Sequence, residues 1–162
     1  LSGGAMKPRP TLPKVPSSCA QMPKPSCSTT FALAIMPGRG VNMGDGWETK
    51  RNRMPGNRDW VIVKLAHKGI IEKILVDTCH FKGNYPDSCI IEGCTLTESE
   101  ENNITSPQIK WTTVLPQSKL QADFEHHFEK EITGHGPFTH ARLTIFPDGG
   151  ISRMRLFGRI ER

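Results

Sequence analysis

The chain has 162 residues, the length of one ordinary domain. Counted with glycine, its 36% of hydrophobic residues give an apolar share of about 45%, enough for a core. No run approaches the ~20 consecutive apolar residues of a membrane-spanning helix, so no membrane partner is expected. The formal charge of +5 sits at one end: residues 1–44 carry five basic side chains and no acid, whereas residues 45–162 balance 16 basic against 16 acidic ones. A body of zero net charge argues against a nucleic-acid partner.

Six of the 13 prolines fall in the first 25 residues. Repeated proline removes backbone donors and forbids helix, so residues 1–36 are expected to form a disordered lead and residues 37–162 the folded domain. The break falls at Pro37-Gly38-Arg39-Gly40.

Beyond it the expected strands are Trp60–Leu65, Ile70–Asp77, Ser88–Leu96, Ile109–Leu115, Thr139–Phe146 and Ile151–Phe157, rich in Val, Ile, Leu, Thr and aromatics. Leu120, Phe124 and Phe128 have helical spacing, but Phe124, His126, Phe128 and Lys130 alternate as in a strand, and that segment is left open. Pro147-Asp148-Gly149-Gly150 predicts a tight hairpin joining the last two long strands. Short strands with few helices predict an all-β sandwich.

The five cysteines, Cys19, Cys27, Cys79, Cys89 and Cys94, form no CxxC, and no signal-peptide pattern precedes them. Reduced thiols in an intracellular protein are the expectation.

Three clusters could carry chemistry. Around Asp45, Trp47 and Glu48, two carboxylates share a glycine-rich turn with an indole, whose apolar face can raise a carboxyl pKa. The bland alternative is a turn whose acids make local hydrogen bonds while Trp47 plugs the core edge. From Asp77 to Asp87, with His80, Lys82 and Asn84, an acid, an imidazole, an ammonium and an amide follow an apolar strand into a loop. A plain polar loop accounts for them equally well. Third, His140, Arg142 and Thr144 share one strand face, with Ala141, Leu143 and Ile145 on the opposite, buried one. The guanidinium fork of Arg142 matches a carboxylate, although a solvated outer face explains the same pattern, as it does for Arg153 and Arg155. No metal site is expected: His126 and His127 point to opposite faces of a strand, and His135 and His140 complete no HxxxH or HExxH spacing. No phosphate loop, dinucleotide fingerprint or GxSxG is present, and no cofactor is expected.

PGRGVNMGDGWETKRNR from Pro37, DWVIVKL from Asp59, VDTCHFKGNYPDSC from Val76 and THARLTIFPDGGISRMRLFG from Thr139 together resemble the allantoicase family, in that family's order. The HFKGNYPDS run is similar to the second, C-terminal, of its two tandem repeats. The resemblance implies a galactose-binding-like jelly roll, a cytoplasmic hydrolase converting allantoate and water to ureidoglycolate and urea, and a second repeat or another copy of the chain as partner. It further implies Glu48, Asp77, His80 and His140 as catalytic candidates, with Asp45, Trp47, Lys82, Asn84, Arg142 and Asp148 as substrate contacts. Chemically, Arg142 would pair with the substrate carboxylate, His80 or His140 would protonate the departing nitrogen, and Glu48 or Asp77 would orient that imidazole or the attacking water. Turnover by this chain alone requires Glu48, Asp77, His80, His140 and Arg142 to line one concavity. If they do not, a non-catalytic ligand-binding or interaction module of the same fold is the alternative.

Overall fold

In a computed structural model the described residues are 31–162. They form helix α1 (Phe31–Ala34), β1 (Trp47–Glu48), β2 (Asp59–Asp77), β3 (Ser88–Cys94), helix α2 (Glu98–Glu101), β4 (Thr112–Lys119), β5 (Glu125–Phe128), β6 (Phe138–Phe146), β7 (Gly150–Ile151) and β8 (Arg153–Ile160). A single 3-10 turn, Met43–Asp45, precedes β1. The expected lead lies mostly outside the described residues. Its last part does not: Ala34 is fully buried and Ile35 packs against the core.

The axis of the fold is β2, which joins the two strands expected at Trp60–Leu65 and Ile70–Asp77. Its first half pairs antiparallel with β6, from Asp59↔Ile145 to Lys64↔His140. Its second half pairs with β8, and near its end also with β5. The pairing register breaks between Lys64 and Gly69, where residues 66–68 are exposed. One layer is therefore β4–β3–β6 with the start of β2, and the other is β8 and β5 flanking the end of β2. Strands that change sheet in this way close a sandwich at its corner. The ambiguous segment around Phe124 resolves as strand β5 at Glu125–Phe128.

Side chains alternate across the pleat, so Val61, Val63, Ile74, Val76, Ile91, Leu143 and Ile145 meet between the layers with Trp47 and Ile151. Ala141, Leu143 and Ile145 face inward as expected. The opposite face of β6 is not solvated. A second apolar cluster, Ile62, Cys94, Leu96 and Ile104 with Trp60, Ile109 and Trp111, covers part of it. His140 is 1% exposed beneath that cover.

Two other expectations are corrected. The strands on either side of Pro147–Gly150 do not pair with each other: β6 lies on the first half of β2 and β8 on the second, so the turn is a corner between layers. Arg153 is not on a solvated face, being 3% exposed with Asp45 as its ionic partner. The three described cysteines, Cys79, Cys89 and Cys94, are buried and free, and burial pushes Cys89 and Cys94 up to about 12; Cys19 and Cys27 lie outside the described residues. No helix among the described residues is long and apolar enough to cross a membrane.

Candidate functional site

Three of the candidate residues meet. A cleft of about 730 Å³ at one end of the sandwich is lined by Glu48, Asn84 and Asp148, delivered by three segments far apart in sequence. That volume lies within the ordinary range for small-molecule pockets. Glu48 is placed by the two-residue ladder β1–β7, in which Trp47 faces Ile151 and Glu48 faces Gly150. The Asn84 side-chain amide donates to Glu48 Oε1. The third segment is tied to the other two through its backbone: Gly150 N–H donates to Asn84 O at 2.8 Å and Thr49 N–H to Gly149 O at 3.0 Å. Gly149 has φ +136 and passes so close to the Asn84–Pro86 backbone that a side chain has no room.

The far wall is the loop Arg51–Gly56. Asn52 N–H donates to Asp148 Oδ2 at 2.8 Å, and Asn57 Nδ2 donates to Pro147 O at 2.6 Å. The loop brings Arg51 and Arg53, both exposed, to the rim. Sequence reasoning passed over these two arginines. Their place in the Glu48–Arg53 run, beside a carboxylate already singled out, was the available signal.

The other candidates lie elsewhere. Trp47 is 1% exposed and belongs to the core. The Asp45 carboxylate accepts from Arg153 Nη2 at 2.7 Å and from Val41 N–H at 3.0 Å, and the guanidinium holds it below the usual carboxylate range. Asp77 is buried at the end of β2, where its Oδ1 accepts the Cys79 N–H at 2.8 Å; burial pushes its carboxyl up. His80 is half-buried with φ +72, and Lys82 is exposed. Neither lines the cleft. His140 lies on the covered face of β6, with Nε2 at 4.0 Å from Glu101, and burial lowers its pKa. Arg142 forms an ion pair with Glu92 at 2.7 Å and places its guanidinium carbon 4.4 Å from the Trp111 ring centre, in a separate groove of about 430 Å³. Glu48, Asp77, His80, His140 and Arg142 therefore do not line one concavity.

The remaining histidine of note is structural. His126 Nδ1–H donates to Val76 O at 2.9 Å while Nε2 accepts from Gln121 N–H at 2.8 Å, which fixes a neutral tautomer. Among the described residues, one group of metal-ligating side chains lies close together: Cys79, His80 and Asp123.

The two-layer sandwich is shared with an F5/8 type C domain from Bacteroides fragilis, which superposes with a TM-score of 0.55 at 16% identity over 80% of each chain. That likeness defines the fold as galactose-binding-like. Sequence narrows it further. The allantoicase repeat family matches residues 23–161. A probable allantoicase from Pseudomonas savastanoi pv. phaseolicola is 56% identical over 128 residues, 79% of this chain and 38% of that protein. One from Ralstonia nicotianae is 51% identical over 134 residues, 81% of this chain and 40% of that protein. The solved allantoicase of Saccharomyces cerevisiae superposes with a TM-score of 0.66 at 40% identity, over 80% of this chain and 36% of that one. The chain belongs to the allantoicase repeat family, and it spans roughly two fifths of the length of these curated relatives.

Proposed function

We propose that this chain is the C-terminal-type repeat of an allantoate-hydrolysing enzyme, and that the end cleft is its contribution to the site. The observation that carries this reading is the convergence of Glu48, Asn84 and Asp148, from three separated motifs, on one concavity. Allantoate offers one carboxylate and two ureido groups rich in N–H donors. Arg51 and Arg53 supply planar forks for the carboxylate. Glu48, oriented by Asn84, and Asp148 supply acceptors for the ureido N–H groups. Hydrolysis adds water across the C–N bond: oxygen goes to the carbon that becomes the hydroxyl of ureidoglycolate, and a proton goes to the departing urea nitrogen. Glu48 is the carboxylate placed to manage one of those proton movements. In this reading Asp77, His80, His140 and Arg142 do not touch substrate within the repeat, so the remaining acid–base groups come from the partner, a second repeat or another copy.

A second reading, a non-catalytic ligand-binding or interaction module, is favoured by the same dispersal. Urea release from allantoate separates them, measured on this chain alone and then mixed with the N-terminal repeat of a longer relative. Turnover in the mixture supports the enzyme reading. Allantoate binding without turnover in either state supports the module, and neither binding nor turnover rejects the ureide cleft.

A further inference from the structure

Cys79 and His80 are neighbours in sequence, and on an extended strand their side chains would diverge. They do not diverge here because His80 takes the left-handed conformation at φ +72 as the chain leaves β2. Asp123, at φ +50, is the other non-glycine residue with positive φ among the described residues, and it faces His80 across the loop. Its Oδ1 accepts the His80 N–H at 2.7 Å. Such residues are uncommon, and they persist where the surrounding structure holds them in place. The result brings a thiol, an imidazole and a carboxylate together, with one ligating atom of each within 4.8 Å of the others.

One ring nitrogen of the imidazole is already tied to the backbone. Gly40 O lies 2.8 Å from His80 Nε2. A carbonyl only accepts, so Nε2 carries the hydrogen and the neutral ring keeps its lone pair on Nδ1. Histidines that bind metals commonly donate their second ring N–H to a backbone carbonyl in this way. Cys79 is buried and its position is fixed by the Asp77 carboxylate, which accepts its N–H. Asp123 is exposed, so the group opens to solvent on one side.

We propose that Cys79 Sγ, His80 Nδ1 and an Asp123 carboxylate oxygen form a site for a divalent transition ion of the zinc class, with water in the fourth position. A mixed sulfur, nitrogen and oxygen donor set suits zinc or cobalt and not calcium or magnesium, which take oxygen ligands. Bonds of about 2.0–2.3 Å give tetrahedral edges of roughly 3.3–3.8 Å, so ligand atoms now within 4.8 Å of one another close by at most about 1.5 Å on binding. On binding, the ion takes the place of the Cys79 S–H proton on sulfur and that proton leaves to solvent, so affinity rises with pH. Burial and the neighbouring Asp77 carboxylate push the Cys79 thiol up, and Arg39, paired with Glu125 at 3.4 Å, opposes them only in part. The site is independent of the ureide reading, since none of its three residues lines the end cleft.

The test is titration of the reduced, chelator-stripped full chain with Co²⁺ followed by absorbance, and competition by Zn²⁺. Expected is one equivalent of cobalt, with the near-ultraviolet charge-transfer band of a thiolate ligand, displaced by zinc. Cys79→Ser removes the band, and His80→Asn or Asp123→Asn, which keep a residue tolerant of positive φ, weaken binding at least tenfold. Cys94→Ala keeps the band. Circular dichroism without metal establishes that each variant is folded. A readout on the unaltered chain stands beside these: zinc slows alkylation of Cys79, located by mass spectrometry. No cobalt binding, a band that survives in Cys79→Ser, or unchanged alkylation of Cys79 overturns the proposal.

Discussion

Arg153 Nη2 lies 2.7 Å from Asp45 Oδ2, and this pair fastens the turn that precedes β1 to the first residue of β8. The same guanidinium donates to the carbonyls of Gly38, Asp45 and Ser152. A buried arginine with this many acceptors holds chain segments together, and its loss leaves the carbonyls without their donor. Arg153→Met is expected to cost roughly 3 kcal/mol in chemical denaturation. Asp45 has a lowered pKa in the folded state, so its contribution is present above about 3.8 and is lost as pH falls through the folded value. The acid limb of the stability curve therefore flattens in Arg153→Met. An unchanged limb would show that the pair contributes nothing.

His140 gives a pH dependence of the other kind. Burial lowers its pKa below 6.5, and burial does the same for His126. Above 6.5 both states of the chain carry neutral imidazoles. As pH falls below that value the unfolded chain takes up protons first, so stability declines until the folded pKa is reached. Melting temperatures between pH 7.5 and 5 are expected to fall, and to fall less steeply in His140→Gln. Equal slopes for the two proteins would place His140 in contact with water.

Gly150 sits against the ring of Phe81, which is fully buried, and an added Cβ would collide with it. The ring has nowhere to go. Gly150→Ala is expected to cost about 1–3 kcal/mol, and because Gly150 faces Glu48 across the β1–β7 ladder it also shifts one wall of the cleft. A thermal melt that matches the parent would contradict the close approach.

For ligand binding, the cleft reading distinguishes two sets of arginines. Changing Arg51 and Arg53 together to Gln is expected to weaken allantoate binding by calorimetry at least tenfold, the loss of one or more charge-assisted forks. Arg142→Lys is expected to leave it within twofold, because Arg142 is committed to Glu92 and Trp111. The reverse pattern would move the carboxylate subsite to the groove around Arg142.

Much of this architecture was readable in one dimension, and the limits have physical causes. The inward face of β6 followed from alternation at Ala141, Leu143 and Ile145. The burial of His140 on the other face did not, since its cover comes from a distant upstream segment, Leu96 to Trp111. Turn chemistry at Pro147–Gly150 correctly placed a reversal, but a turn says nothing about which strand each arm will pair with. Arg153 looked like half of a solvated pair because charge is ordinarily a surface signal, and its partner Asp45 lies 108 residues away. The three motif clusters were legible as clusters. Which members of each would face a common space depended on the β1–β7 ladder, two residues long and without a pattern of its own.

β2 is a member of both layers, and that sharing bears on how the molecule comes apart. Its amides bond to β6 in one half and to β8 and β5 in the other. Neither layer can open its central hydrogen bonds without breaking a strand that the other depends on. Unfolding is therefore expected to occur as one cooperative event, with no state in which half of the sandwich survives. In amide hydrogen exchange, Val61–Val63 and Ile74–Val76, though more than ten residues apart and in different layers, should share a single protection free energy equal to that of global opening.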